Sequence, residues 1–436
     1  MEEKNKSVHI TTLGCKVNAY ESEAMLELFK EAGYEVHLDP EDFSDVYIIN
    51  TCTVTNLSDR KSRQIIRRGK KINPQAVVCV VGCYAQVSPE EVEKIPGVDL
   101  ILGTKDRDKI VDYVDQAMNK EGPLVHVEDA RSHRDFEDFS IDQQTDHTRA
   151  YVKIQDGCNQ FCSYCVIPYA RGPIRSRPLE DSHRQVEKLV EAGYKEVVLT
   201  GIHVASYGKD LGDLRLADLI EDLAQIQGLE RIRLSSVDPN IVTEDFIQRL
   251  AATGKVCDHF HLSLQHGSNK ILQAMNRKYR AEDFLEKAEI IRRYMPYAGL
   301  STDCIVGFPG EEEEDFEEMC AFVKKVGFSR LHVFKYSPRQ GTPAAKKKQI
   351  NGKIKNTRSQ KLIAIGDVLA QDFIEKNKGR DLDVLFEQEN QGFYEGYTGN
   401  YIRVKTKSDR PLTNQILHGT IGDSTGEPVE FKLRRP

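Results

Sequence analysis

Cys158, Cys162 and Cys165 stand at C-x3-C-x2-C spacing inside one short stretch, Gly157-Cys-Asn-Gln-Phe-Cys-Ser-Tyr-Cys165. Three thiolates in one loop can hold three corners of an iron–sulfur cube, and a four-iron cluster held this way keeps one iron without a protein ligand. Such an iron can bind a small molecule, whereas a cluster that only carries electrons is normally closed by a fourth cysteine. A structural zinc site is the competing reading. It needs a fourth Cys or His at matching spacing, and neither flank of the loop supplies one.

The loop, placed after a short strand, resembles the signature of radical S-adenosylmethionine (SAM) enzymes. In that family the open iron takes the amino and carboxylate groups of SAM, and the reduced cluster splits SAM to methionine and a 5′-deoxyadenosyl radical. The wider string, from Tyr151-Val-Lys-Ile-Gln-Asp-Gly through Cys165-Val-Ile-Pro-Tyr-Ala-Arg171-Gly172, resembles the methylthiotransferase branch.

The elements that position this loop belong to a chain of 436 residues, long enough for two or three domains. It holds no run near the ~20 apolar residues of a membrane span. Its start is charged, unlike a signal peptide, so a cytoplasmic protein is expected. Ten cysteines in a reducing compartment favour metal ligation over disulfides. A formal net charge of −7 gives no overall pull toward nucleic acid, so any RNA contact must come from local basic patches.

Residues 1–120 read as a doubly wound α/β domain. Strands are predicted at 8–12, 46–49 and 77–81, a helix at 22–32, and a basic helix capped by Ser58 that runs to about Lys71. Strands alternating with helices imply a parallel sheet. Cys15, Cys52 and Cys83 each fall just past a strand end, the edge where ligands bind in open α/β sheets. Brought together there, they would make a second three-thiolate cluster site. The plainer alternative is three ordinary half-buried cysteines, and for Cys79, inside a strand, the core reading wins. The strings Thr12-Leu-Gly-Cys-Lys-Val-Asn18, Asn50-Thr-Cys-Thr-Val-Thr55 and Val81-Gly-Cys-Tyr-Ala-Gln86 resemble the motifs of the methylthiotransferase N-terminal domain, which imply an auxiliary cluster that handles sulfur.

Residues 121–147, charged and poor in apolar positions, read as a linker. From 148 to 374, six strand–helix units predict a partial (β/α)6 barrel, with strands at 151–154, 196–200, 231–234, 259–264, 302–306 and 331–335. Such barrels keep their chemistry at the C-terminal strand ends. Thr200, Gly201, Ser235, Ser263, Gln265 and Asp303 lie there and are the candidate SAM contacts. Gly307, in the turn Gly307-Phe-Pro-Gly-Glu311, joins them because free amides at a helix start suit a polar ligand edge. His203, His261 and His266 lack ligand spacing. Arg171, Arg175 and Arg177 follow the cysteine loop, and the resemblance makes a role at substrate phosphates an expectation. Lys346, Lys347 and Lys348 form a further basic patch.

Residues 375–436 carry five short alternating runs, at 382–386, 393–397, 401–405, 415–420 and 429–433, which predict a small β-barrel. Gly396-Tyr-Thr-Gly-Asn-Tyr-Ile-Arg-Val404 resembles the RNA-binding TRAM module. Tyr397, Tyr401 and Arg403 suit base stacking with phosphate contact, although tyrosines of a small barrel can equally be core.

The resemblance thus spans nearly the whole chain. It implies two [4Fe-4S] clusters, SAM as both methyl donor and radical source, a tRNA substrate, a low-potential electron donor and a sulfur source. Gly14-Cys15-Lys16-Val17-Asn18 and Lys153-Ile-Gln-Asp156-Gly resemble the branch acting on N6-threonylcarbamoyladenosine at C2, beside the anticodon. The branches for isopentenyladenosine and for a ribosomal-protein aspartate are the alternatives. Two readings from other classes are an iron–sulfur RNA-binding regulator without turnover, and a radical SAM enzyme whose first domain binds a corrinoid.

Overall fold

The computed structural model describes residues 6–120, 122–139, 141, 148–423 and 426–434. The first sheet forms because Val46–Thr51 and Val77–Gly82 are buried along their full length, the pattern of strands covered on both faces. Its strands are β1 (Ser7–Thr12), β2 (Glu35–His37), β3 (Val46–Thr51), β4 (Val77–Gly82), β5 (Leu100–Leu102) and β6 (Leu124–His126). They are parallel and ordered β2-β1-β3-β4-β5-β6. The order reverses between β1 and β3, which makes that pair the switch point of a doubly wound sheet. One apolar core lies on each face.

Three details differ from the sequence reading. The helix expected over 22–32 begins six residues earlier, as Lys16–Glu31. The basic helix Asn56–Ile72 is capped by Thr55, whose hydroxyl accepts the Ser58 amide, so Ser58 is inside the helix. The linker expected over 121–147 is largely built into the structure, though residues 121, 140 and 142–147 lie outside the described residues. β6 completes the first sheet, and Phe139 and Ile141 are buried. Tyr20 donates to the Phe139 carbonyl at 2.7 Å, and Gln185 bonds both backbone groups of Ile141. Phe139 and Ile141 therefore sit in the seam between the domains, while Leu124 belongs to the core of the first.

The central strands are β7 (Ala150–Asp156), β8 (Arg175–Ser176), β9 (Glu196–Gly201), β10 (Arg231–Leu234), β11 (His259–His261), β12 (Gly299–Val306) and β13 (Arg330–Lys335). β10-β9-β7 and β11-β12-β13 are two parallel runs joined through the bridges Ile232↔Val256 and Val237↔Leu262. That is the expected partial barrel of six parallel strands, with β8 added antiparallel to β7. The helix Gly352–Asn377 leads from it into a closed barrel of β14 (Asp381–Asn390), β15 (Phe393–Thr398), β16 (Arg403–Thr406), β17 (Ile416–Ile421) and β18 (Val429–Leu433). The small barrel docks through backbone carbonyls: Arg231 donates to Asp383 O at 2.6 Å and Arg233 to Gly399 O at 2.9 Å. No helix among the described residues is long and apolar enough to cross a membrane.

Candidate functional site

Cys15 follows β1, Cys52 follows β3 and Cys83 follows β4, so the three thiols sit on neighbouring strands at the switch point. Adjacent strands are ~4.8 Å apart, which brings together residues far apart in sequence. Gly14 permits this closeness: its φ is +117°, and a Cβ there would stand 2.8 Å from Cys52 Cβ. Asn18 ties the loops, donating to Leu13 O at 2.8 Å and to Thr51 O at 2.9 Å. Burial pushes the Cys83 thiol up to about 12 against the opposing pull of Arg171, with smaller upward pushes from Cys52 and Cys15. Such thiols are not free nucleophiles and lose their protons to a metal rather than to water.

The second group lies in the loop after β7. Cys158 N–H donates to Gly172 O at 3.0 Å, and Cys165 N–H to Cys162 O at 2.9 Å, so the loop is held by its own backbone. Burial pushes Cys158 up to about 11 and Cys165 up to about 12. Arg277 Nη1 donates to Cys162 Sγ at 3.5 Å while Nη2 donates to Asp238 at 3.2 Å and to Ser263 O at 3.0 Å. A guanidinium at the thiol suits a site that gains negative charge when iron is bound. Among the described residues, no three His, Cys, Asp or Glu side chains converge tightly enough to grip one metal ion. Thiols that each hold a different iron need wider spacing than that.

A buried ion network joins the two thiol groups. Glu21, fully buried on the helix Lys16–Glu31, meets Lys153 at 2.7 Å, Arg107 at 2.5 Å and Arg171 at 2.5 Å. Asp156 meets Lys153 at 2.7 Å, Arg171 at 3.3 Å and Arg175 at 3.5 Å, and Arg107 also holds Glu137. Burial alone would raise both Glu21 and Asp156, but the surrounding cations hold them well below the usual carboxylate range. Arg107, Lys153, Arg171 and Arg175 face Glu21, Asp156 and Glu137, so four cations meet three carboxylates. The surplus points at sulfur, because Arg171 Nε donates to Cys83 Sγ at 3.2 Å.

A cavity of about 1150 Å3 opens between the three domains. Cys15 of the first group and Cys158, Cys162 and Cys165 of the second all line it. Thr200, Gly201, Ser235, Ser263, Gln265 and Asp303, the candidate SAM contacts, all line it. Gly307 does not. Its amide donates to its own Glu311 carboxylate at 2.7 Å, that carboxylate is paired with Arg358, and the Lys355 stem covers the glycine. The free amides expected at that turn already have an internal anion.

The basic and aromatic candidates also need correction. Arg171, Arg175 and Arg177 are buried in the domain seam and ion-paired, Arg177 to Asp138 at 2.6 Å, so none presents its charge to RNA phosphates. Lys346, Lys347 and Lys348 are exposed. Tyr397 and Tyr401 face the cavity rather than an outer surface: Tyr401 stacks on His259 with ring centres 4.6 Å apart and on Tyr397 at 4.9 Å, beneath Arg149 and Arg233. Arg403 is held by Glu395. Sequence reasoning assigned no site role to Arg277, Asp238, Lys16, Arg233 or His332, which line or brace this cavity. No local pattern marks Arg277, which reaches Cys162 across a separation of 115 residues.

Residues 152–323 match the radical SAM superfamily model, and residues 7–103 match an uncharacterized protein family, UPF0004. The chain is 45% identical to the threonylcarbamoyladenosine tRNA methylthiotransferase MtaB of Bacillus subtilis, over 94% of this chain and 92% of that protein. It is 36% identical to the protein of the same name from Thermotoga maritima, over 97% and 93%. It is 39% identical to a tRNA-2-methylthio-N(6)-dimethylallyladenosine synthase of Clostridium novyi, over 88% and 86%. In fold it resembles the radical SAM methyltransferase TsrM of Kitasatospora setae, solved with cobalamin and a [4Fe-4S] cluster, with a TM-score of 0.59, 15% identity, and coverage of 78% and 77%.

Proposed function

The chain belongs to the radical SAM tRNA methylthiotransferases, and from that premise we propose that it inserts a methylthio group at C2 of N6-threonylcarbamoyladenosine beside the anticodon of tRNA. Membership of the radical SAM superfamily implies a [4Fe-4S] cluster and SAM. Cys158, Cys162 and Cys165 would hold that cluster, and Cys15, Cys52 and Cys83 a second one. When bound, these groups supply a 5′-deoxyadenosyl radical and a methylated sulfur, chemistry that no side chain could replace, because an aromatic C2–H is too weakly acidic for a positioned base.

The protein's own residues bind, orient and exclude water. Thr200, Gly201, Ser235, Ser263, Gln265 and Asp303 offer hydroxyls, carbonyls and a carboxylate along the wall between the thiol groups. Arg277 braces Cys162 and the Ser263 carbonyl together. Tyr397 and Tyr401 give the aromatic wall on which a base can stack. Lys346, Lys347 and Lys348 offer charge to the RNA backbone.

The observation that carries this reading is the shared cavity, with thiols of both groups and the small barrel's tyrosines on its walls. The chemistry also calls for a low-potential electron donor and a sulfur source. Mass spectrometry of tRNA nucleosides from a strain lacking the gene tests it. The 2-methylthio mark should vanish from threonylcarbamoyladenosine and return on complementation. Loss from the dimethylallyl derivative instead would move the chain to the other branch, whose named members are also similar to it.

A further inference from the structure

One stretch of the cavity wall holds a cation that, among the described residues, has no ion-pair partner. Lys16, the first residue of the helix Lys16–Glu31, is half-buried and lines the cavity. Among the described residues, nothing accepts a hydrogen bond or forms an ion pair with its ammonium. The other cations on this wall are satisfied. Arg233 is paired with Glu196 at 2.6 Å, and Arg330 is paired with Glu427. Ionisable groups whose charge interacts with Lys16 include Tyr401, Arg149, Arg233, Glu196, His259 and His332. None of these belongs to the cysteine loop. Tyr401 and Glu196 favour the charged lysine while Arg149 and Arg233 oppose it, and none of the four forms an ion pair with it.

A cation drawn partly out of water is costly to keep without an ion-pair partner, and a cluster at Cys15 would ease that cost without pairing with the ammonium. A ligand that brings a carboxylate into the cavity would supply the partner. The nucleotide proposed above carries a threonyl group that ends in a carboxylate, whereas a dimethylallyl group carries no charge. Tyr401 and Tyr397 supply a stacked aromatic face on the same wall. SAM also bears a carboxylate, but on the reading above that group belongs at the loop thiols Cys158, Cys162 and Cys165.

We propose that Lys16 is the counter-ion for the amino-acid carboxylate on the target adenosine, and that this pair selects a charged over an uncharged N6 substituent. This rests on the substrate reading given above and refines it. A charge-assisted hydrogen bond in a partly desolvated site corresponds to about 10- to 100-fold in affinity.

The test uses the anaerobically reconstituted full chain and three anticodon stem-loop RNAs identical except at one base. That base is threonylcarbamoyladenosine as the free acid, its methyl ester, or unmodified adenosine. Equilibrium binding should favour the acid over the ester by about 10- to 100-fold in the parent chain. In Lys16→Gln the two should bind alike, and Lys16→Arg should restore most of the preference. Equal weakening of all three RNAs in Lys16→Gln would mean contact with a backbone phosphate and would overturn the proposal. So would an unchanged acid-to-ester ratio in Lys16→Gln, or a parent chain indifferent to the ester. Should Lys16→Gln fail to take up iron, the ester comparison in the parent chain and the Arg variant still decide. Turnover separates the two readings: a parent chain that modifies only a dimethylallyl stem-loop defeats the substrate assignment. Acid turnover with an unchanged ratio in Lys16→Gln defeats only the assignment of Lys16.

Discussion

Arg171 Nε donates to Cys83 Sγ at 3.2 Å while its Nη atoms hold Glu21 and Asn18. Arg171 closes the short helix Ile167–Arg171, just after Cys165, and Cys83 belongs to the first domain. One guanidinium thus fixes the loop of one thiol group against a thiol of the other, and the fork geometry of arginine allows the three contacts at once.

Replacing Arg171 by Gln leaves Glu21 and Asp156 buried with fewer cations. Breaking a buried ion network from one side costs roughly 3–5 kcal/mol, and chemical denaturation should show a loss of that order. Lysine at 171 should recover only part of it, since one ammonium cannot serve Glu21, Asn18 and Cys83 together. A Gln variant as stable as the parent would mean that the other cations suffice.

Substituting Cys15, Cys52 and Cys83 together by Ala should leave SAM cleavage to 5′-deoxyadenosine in place and abolish methylthio transfer. Iron should fall from about eight to about four per chain, the content of two and of one four-iron cluster. If SAM cleavage disappears as well, the two thiol groups do not divide the work as proposed.

Gly157→Ala should disable the cysteine loop. Gly157 has φ +73°, and a Cβ there would lie 1.8 Å from Pro173 O and 2.8 Å from Gly172 O, so the loop backbone itself must shift. The expected outcome is a folded chain with iron at the first domain only and SAM cleavage lowered more than about 10-fold, since displaced ligands cost a metal site heavily. Iron analysis and deoxyadenosine release measure both, and full iron content would contradict the assignment.

Stability should fall as pH drops below neutral. Burial first, then Arg175 and Lys105, push His133 down to about 4, and burial holds His259 well below its ordinary value. Between those values and the unfolded value near ~6.5, the unfolded chain binds more protons than the folded one. This contribution is therefore complete above about pH 6.5 and is lost as pH falls toward about 4. Calorimetric Tm should decline from about pH 7 to about pH 5, and His133→Gln should flatten the decline. Identical slopes in the two chains would remove His133 from the account.

The sequence by itself determined whatever is local or periodic. The C-x3-C-x2-C loop, the strand-end cysteines, the six barrel strands and the five strands of the last domain all appear at or near their predicted places. Short spacing and period-two or period-3.6 patterns survive folding unchanged. Tertiary structure alone decided which charges are available. Arg171, Arg175 and Arg177 read as a basic surface segment, yet Glu21, 150 residues before Arg171, turns the first of them inward. Glu311 and Arg358 take the amides at Gly307 before any ligand can. Tyr397 and Tyr401 read as an RNA-facing pair and instead complete a cavity wall against His259, while Lys16, read from the chain only as part of a motif, is left on that wall without an ion-pair partner among the described residues. The reason is physical: a buried charge is settled by whichever opposite charge the fold brings beside it, and distance along the chain does not encode that meeting.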